Sequence, residues 1–163
     1  MATVSSGTAV VTLPSDTQIL ITRDFDAPRN LVYKAYTTPE LIRRWWAGKR
    51  GEVTHAEVDL RVGGYWRYVM MASGGHEVAF HGEYREIVPN ERIVCTEVYE
   101  GVPEGEGEVV NTVTFTEQDG RTTLTILTDV PAREVRDMII DSGMEGGMQE
   151  GMDLLEQVAI SLG

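Results

Sequence analysis

Apolar residues recur along this chain at two spacings, and each change of spacing marks a new element. Gln18 to Phe25 reads as a strand, with Ile19, Ile21 and Phe25 on one face across Arg23. Asp26 and Pro28 then open a short helix carrying Leu31, Val32 and Ala35, which ends near Thr37. Thr38-Pro39 sets a hydroxyl N-cap before proline at the first helical position, and predicts a second short helix with Leu41 and Trp45 one turn apart, stopping at Gly48. From residue 52 the period becomes two: Ala56, Val58, Leu60 and Val62 alternate with His55, Glu57, Asp59 and Arg61. Gly63-Gly64 breaks this run. Beyond it lie Tyr65 to Met71, with Trp66, Tyr68 and Met70 on one face, a Ser73-Gly74-Gly75 turn, Val78 to Val88, a Pro89-Asn90 turn, and Arg92 to Tyr99. Gly101 to Gly107 reads as a hairpin loop, and Asp119-Gly120 as a tight two-residue turn between Val109–Phe115 and Thr123–Thr128.

The last part of the chain returns to helical spacing. Pro131 to Ile140 predicts one helix, and Ser142 with Glu145 has the spacing of a capping box that starts another. Met144, Met148, Met152, Leu155, Ala159 and Leu162 then form a single stripe. Such a helix is about 28 Å long at a rise of 1.5 Å per residue. One strand, two small helices, six hairpin-linked strands and an amphipathic helix make an α+β layout, a curved antiparallel sheet wrapped on the terminal helix. The length predicts one domain over residues 1–163, with 1–16 either an edge strand or loose.

Composition narrows the function. The net charge of −12, with Lys34 and Lys49 as the two lysines, argues against nucleic acid and against anionic membrane surfaces. Cys95 is alone, so no intrachain disulfide or thiolate cluster is expected, and the three histidines lack ligand spacing: no metal and no cofactor. The N-terminus does not read as a signal peptide, and no apolar run approaches membrane-spanning length, which predicts a cytoplasmic protein, monomer or homodimer.

Several of these segments, in this order, resemble the START-like (SRPBCC) superfamily. They are Ile21-Thr-Arg-Asp-Phe-Asp-Ala-Pro28, Thr38-Pro-Glu-Leu with Trp45-Trp46, Asp59-Leu-Arg-Val-Gly-Gly64, Gly82-Glu-Tyr84 with Pro89, and Gly143-Met with Gly147-Met and Gly151. The chain looks most like the branch of homologues of the ATPase activator of the ninety-kilodalton heat-shock chaperone, over roughly residues 17–162. The resemblance implies the helix-grip fold of the birch-pollen allergen and a deep apolar cavity. It does not imply one reaction, because relatives include lipid carriers and polyketide cyclases.

The residues that would line such a cavity are Trp45, Trp66, Tyr68, Met70, Tyr84, Glu97, Tyr99, Asn111, Val113, Phe115, Met144, Met148 and Met152. Methionines adapt to irregular shapes and recur at permissive binding surfaces. Glycines 143, 146, 147 and 151 cost a helix about 1 kcal/mol each against alanine, which close approach to the sheet or room for a ligand would offset. Strand parity puts Glu97 and Tyr99 with Ile93 and Cys95; there an enclosed carboxyl could exchange a proton, unless a bulge reverses the parity. His81 with Glu83 is either a second acid/base pair or, as the commoner case, a pair that only faces solvent. Arg43, Arg44, Lys49 and Arg50 form a basic cluster that is either a solvated helix end or a rim attracting acidic ligands. Three functions remain open: binding of a small apolar or aromatic molecule, a cyclase- or hydrolase-like enzyme using Glu97, Tyr68 or Asn111, and a chaperone-interaction module.

Overall fold

The computed structural model describes residues 2–3, 8–100 and 108–163; the predicted loop at 101–107 lies outside them. Among the described residues nine strands form one antiparallel sheet: β1 (Ala2–Thr3), β2 (Val10–Leu13), β3 (Gln18–Phe25), β4 (Gly51–Val58), β5 (Tyr65–Ala72), β6 (Glu77–Val88), β7 (Arg92–Tyr99), β8 (Val109–Gln118) and β9 (Arg121–Asp129). Their order is β1-β2-β3-β9-β8-β7-β6-β5-β4. Helices α1 (Arg29–Thr37) and α2 (Pro39–Ile42) link β3 to β4, and α3 (Arg133–Asp141) leads into α4 (Met144–Ser161). The architecture is α+β helix-grip, with the long helix against the inner face of the curved sheet.

The alternation read from the sequence is the register seen here. Tyr68 pairs with Phe80, Cys95 with Asn111, and Phe115 with Leu124, so inward positions continue from strand to strand. Ile19, Ile21 and Phe25 are buried on β3, and α4 brings Met152, Leu155 and Ala159 into the same core. Asp119 and Gly120 both take positive φ, 54° and 76°, as a tight two-residue hairpin turn between Gln118 and Arg121 requires.

Four local expectations need correction. β4 ends at Val58, and the apparent alternation through Leu60 and Val62 is a turn closed by Asp59, Arg61 and Gly64 backbone bonds, which leaves both side chains exposed. The capping box does not form: Gly143, in the left-handed region at φ 83°, caps α4, and the Ser142 hydroxyl donates to the Ile139 carbonyl instead. Thr38 does precede α2, but its hydroxyl makes no capping bond. His81 pairs with Glu100, not Glu83: its Nδ1 lies 2.8 Å from the carboxylate that Arg67 also holds through two bonds of 2.9 Å.

The N-terminal stretch adds edge strands. β2 pairs with β3, and just before it Ala9 is fully buried. The Gln149 side-chain amide on α4 accepts from the Ala9 N–H at 2.9 Å and donates to its carbonyl at 2.8 Å, as a neighbouring strand would.

Candidate functional site

Part of the sheet's inner face is polar. Tyr84 on β6, Cys95 and Glu97 on β7 and Asn111 on β8 all point inward, and Tyr36 reaches the same place from α1. Glu97 keeps its predicted face because β6, not β7, carries the local irregularity, between Tyr84 and Glu86. Burial raises the Glu97 carboxyl above the usual carboxylate range, and a hydrogen bond from Asn111 only partly opposes this. The Asn111 Oδ1 accepts from the Thr128 hydroxyl at 2.6 Å, which turns its amide N–H₂ toward Glu97. Cys95 is pushed up to about 12, by burial first and by Glu97 second. Tyr68 and Tyr84 share a hydrogen bond, and burial raises both phenols, as it does Tyr36.

Aromatic rings wall this cluster. Trp66 and Tyr68 lie 4.8 Å apart between centroids, Trp46 meets Tyr68 at 5.5 Å and Phe80 at 5.8 Å, and Tyr99 stacks on Phe80 at 5.0 Å. The Trp66 indole N–H crosses β6 to donate to the Thr96 carbonyl at 3.2 Å, and Gly82 leaves the room for it: a Cβ there would run into that carbonyl and the indole nitrogen. Met144 and Met148 of α4 are half-buried against the core, and Met152 is buried.

Most of the sequence candidates thus converge: Trp66, Tyr68, Tyr84, Glu97 and Asn111 around the polar cluster, with Val113, Phe115, Met144, Met148 and Met152 in the packing around it. Tyr99 is 42% exposed and lies at the rim. Met70 is half-buried near the end of β5, outside the main core. Trp45 is buried, stacks on Tyr36 and donates its indole N–H to the Ala35 carbonyl at 2.9 Å, so it fills the space under α1. Its neighbour Trp46 is the one that meets the site. Sequence reasoning missed Trp46, Tyr36, Phe80 and Cys95. Phe80 was accessible, since a turn centred on Gly74 sets it opposite Tyr68.

The α2–β4 loop closes over α4. Glu150 accepts from the Lys49 backbone N–H at 3.0 Å and pairs with Arg50 at 3.5 Å, while Arg43 and Arg44 remain exposed. A surface hollow along α3 at Glu134, Asp137 and Met138 lies away from this cluster, and a second, at Arg29, Glu91 and Arg92, reaches the packing around it at Phe115. Among the described residues no group of three or more His, Cys, Asp or Glu side chains could hold a metal ion, and no helix is long and apolar enough to cross a membrane.

Comparison with known proteins agrees with this fold. The chain is similar in structure to a protein of Rhodobacter sphaeroides (24% identity, 94% of this chain and 98% of that one, TM-score 0.84). A protein of Chromobacterium violaceum is 27% identical over 88% of this chain and 97% of its own, with a TM-score of 0.75. An AHSA1-like protein of Aeromonas hydrophila is 20% identical over 88% and 93%, with a TM-score of 0.63. None of the curated proteins compared with the chain matches it. The sequence model described as Activator of Hsp90 ATPase homolog 1-like protein covers residues 26–159, and the chain belongs to that family.

Proposed function

We propose that the protein binds a small apolar or aromatic molecule between the sheet and the first half of α4. The observation that carries this reading is the inward-facing group of Tyr36, Tyr68, Tyr84, Glu97 and Asn111, walled by aromatic rings and by methionines of α4. Core packing alone favours apolar side chains, because each enclosed polar group must find a partner. A few fixed polar groups among aromatic and methionine side chains are instead what orient a small ligand. Trp66, Tyr68, Tyr84, Glu97, Asn111, Phe115, Met148 and Met152 would line the site, with Tyr99 at its mouth, in a single cytoplasmic domain without a cofactor.

The test uses a neutral arene, methylnaphthalene, followed by quenching of tryptophan fluorescence. Met148→Arg should weaken its binding roughly tenfold or more, since a charge then occupies the apolar wall. Arg44→Ala, at an exposed position, should leave it nearly unchanged. A folded Met148→Arg variant that binds the arene as tightly as the parent defeats the reading.

One observation favours a second reading, acid/base catalysis in the same space. The raised Glu97 carboxyl is suited to exchanging protons nearer neutral pH than an ordinary glutamate. Turnover of a bound compound that stops in Glu97→Gln while binding persists would establish it.

A further inference from the structure

Around the site, among the described residues, the inner face of the sheet carries one carboxylate, Glu97, and no lysine, arginine or histidine beside it. Along the inward positions of β5, β6, β7 and β8 that surround the site, Glu97 stands among Trp66, Tyr68, Phe80, Tyr84, Cys95 and Asn111. Burial and the Asn111 hydrogen bond are what act on it; among the described residues no lysine, arginine or histidine does. Segments 1–7 and 101–107 contain no basic side chain that could reach in. Arg23, buried on β3, is already held by Asp153 at 2.8 Å and Glu156 at 3.4 Å, with its guanidinium over the Phe25 ring.

We infer that the molecule taken up beneath α4 is an organic cation, an amine whose charged nitrogen meets the Glu97 carboxyl and the aromatic faces beside it. This rests on the reading that the space takes a small molecule at all. An enclosed carboxylate without a counter-charge is costly, and a bound ammonium supplies that charge. Tyr99, two residues along β7 from Glu97, stacks on Phe80, which in turn meets Trp46. Trp46 and Trp66 both contact Tyr68. Faces of Trp, Tyr and Phe attract cations electrostatically, most strongly where water is excluded. Asn111 cannot substitute for a cation: its amide is fixed by Thr128 and offers Glu97 a dipole only. The protein's net charge of −12 further raises the local concentration of cations around it. An acidic ligand would face Glu97 with no positive partner.

The experiment compares four naphthalene probes of nearly equal size on the full chain by calorimetry: naphthylmethylammonium, methylnaphthalene, acetonaphthone and naphthoate. The ammonium should bind roughly tenfold more tightly than methylnaphthalene, with naphthoate weakest. Glu97→Gln should abolish the preference, so that within this variant the ammonium binds no more tightly than methylnaphthalene. A second measurement needs no variant. Glu97 acts on Tyr36 and Cys95, with Tyr84 beside Cys95, and all three are raised, so none of them titrates between about pH 4 and pH 8. Across that range the affinity for the ammonium should fall as the pH drops and Glu97 takes a proton, while that for methylnaphthalene stays flat. Equal binding of ammonium and methylnaphthalene, or acetonaphthone binding best, overturns the inference and leaves a ligand site standing. If none of the four binds, both readings fall.

Discussion

Glu97 on β7 and Glu100 just beyond its end have opposite surroundings. Arg67 first, and then His81, hold the Glu100 carboxylate down at about 2 on the outer face, whereas burial raises Glu97 on the inner one. The signs follow from the unfolded value of about 4.3 for glutamate. A lowered folded pKa gives stability that is present above that value and lost as the pH falls toward the folded one. A raised folded pKa acts the other way, and stability falls as the pH rises from the unfolded value through the folded one. Urea unfolding against pH should therefore find Glu97→Gln more stable than the parent at pH 7, with the gap closing by about pH 4. Glu100→Gln should be less stable at pH 7, and its deficit should shrink toward about pH 2. The face of Glu97 could be read in the sequence from strand parity. The Glu100 pairing could not, because it needs β5, β6 and β7 in register and a side chain just past a strand end.

At the scale of elements, alternation served where it had a partner to pair with. The register of β5 with β6 follows from the turn at Gly74, and that of β8 with β9 from Asp119-Gly120. It misled at Leu60 and Val62, where two apolar side chains continue the period of β4 through a turn. The methionine stripe marked α4 and its start at Met144, although a left-handed glycine and not the Ser142 side chain makes the cap. Trp45 and Trp46 show the same limit. Helical spacing identified the tryptophan that fills the core, and only the loop after α2 brings the other over Tyr68 and Phe80. The glycines of α4 differ in the same way. A Cβ on Gly147 would make an ordinary contact with Arg50 at 3.8 Å, so Gly147→Ala should stabilise the protein by about 1 kcal/mol. At Gly151 a Cβ would press on the Trp45 carbonyl at 3.2 Å, and the gain should be cancelled or reversed. Thermal melts of the two variants side by side check this.

Across the whole molecule, α4 is fastened along its middle to distant parts of the chain. Arg23 ties Asp153 and Glu156 to β3, and Glu156 also accepts from the Asp26 backbone N–H at 2.9 Å. Gln149 holds the backbone of Ala9, 140 residues away. In Gln149→Leu, buried donor and acceptor atoms of Ala9 lose their partners together, at a cost of about 3 kcal/mol. Denaturant titration should show that loss without a change in the helical circular dichroism of the remaining native state. Nothing in residues 1–16 announced this fastening, because a glutamine on a helix reads as a solvent-facing residue until the strand beside it is known.

The strand order also bears on time. From β4 to β9 each strand pairs with the next, whereas β3 joins β9 through contacts such as Gln18 with Asp129, which close more than a hundred residues of chain. Closing so long a loop is slow to be rewarded, so the meander should assemble first and β3, with the N-terminal strands, should dock late. Stopped-flow chevrons would then assign the two regions to different limbs. Gly120→Val, in the last hairpin of the meander, should mainly slow folding, and Ile19→Val on β3 should mainly speed unfolding.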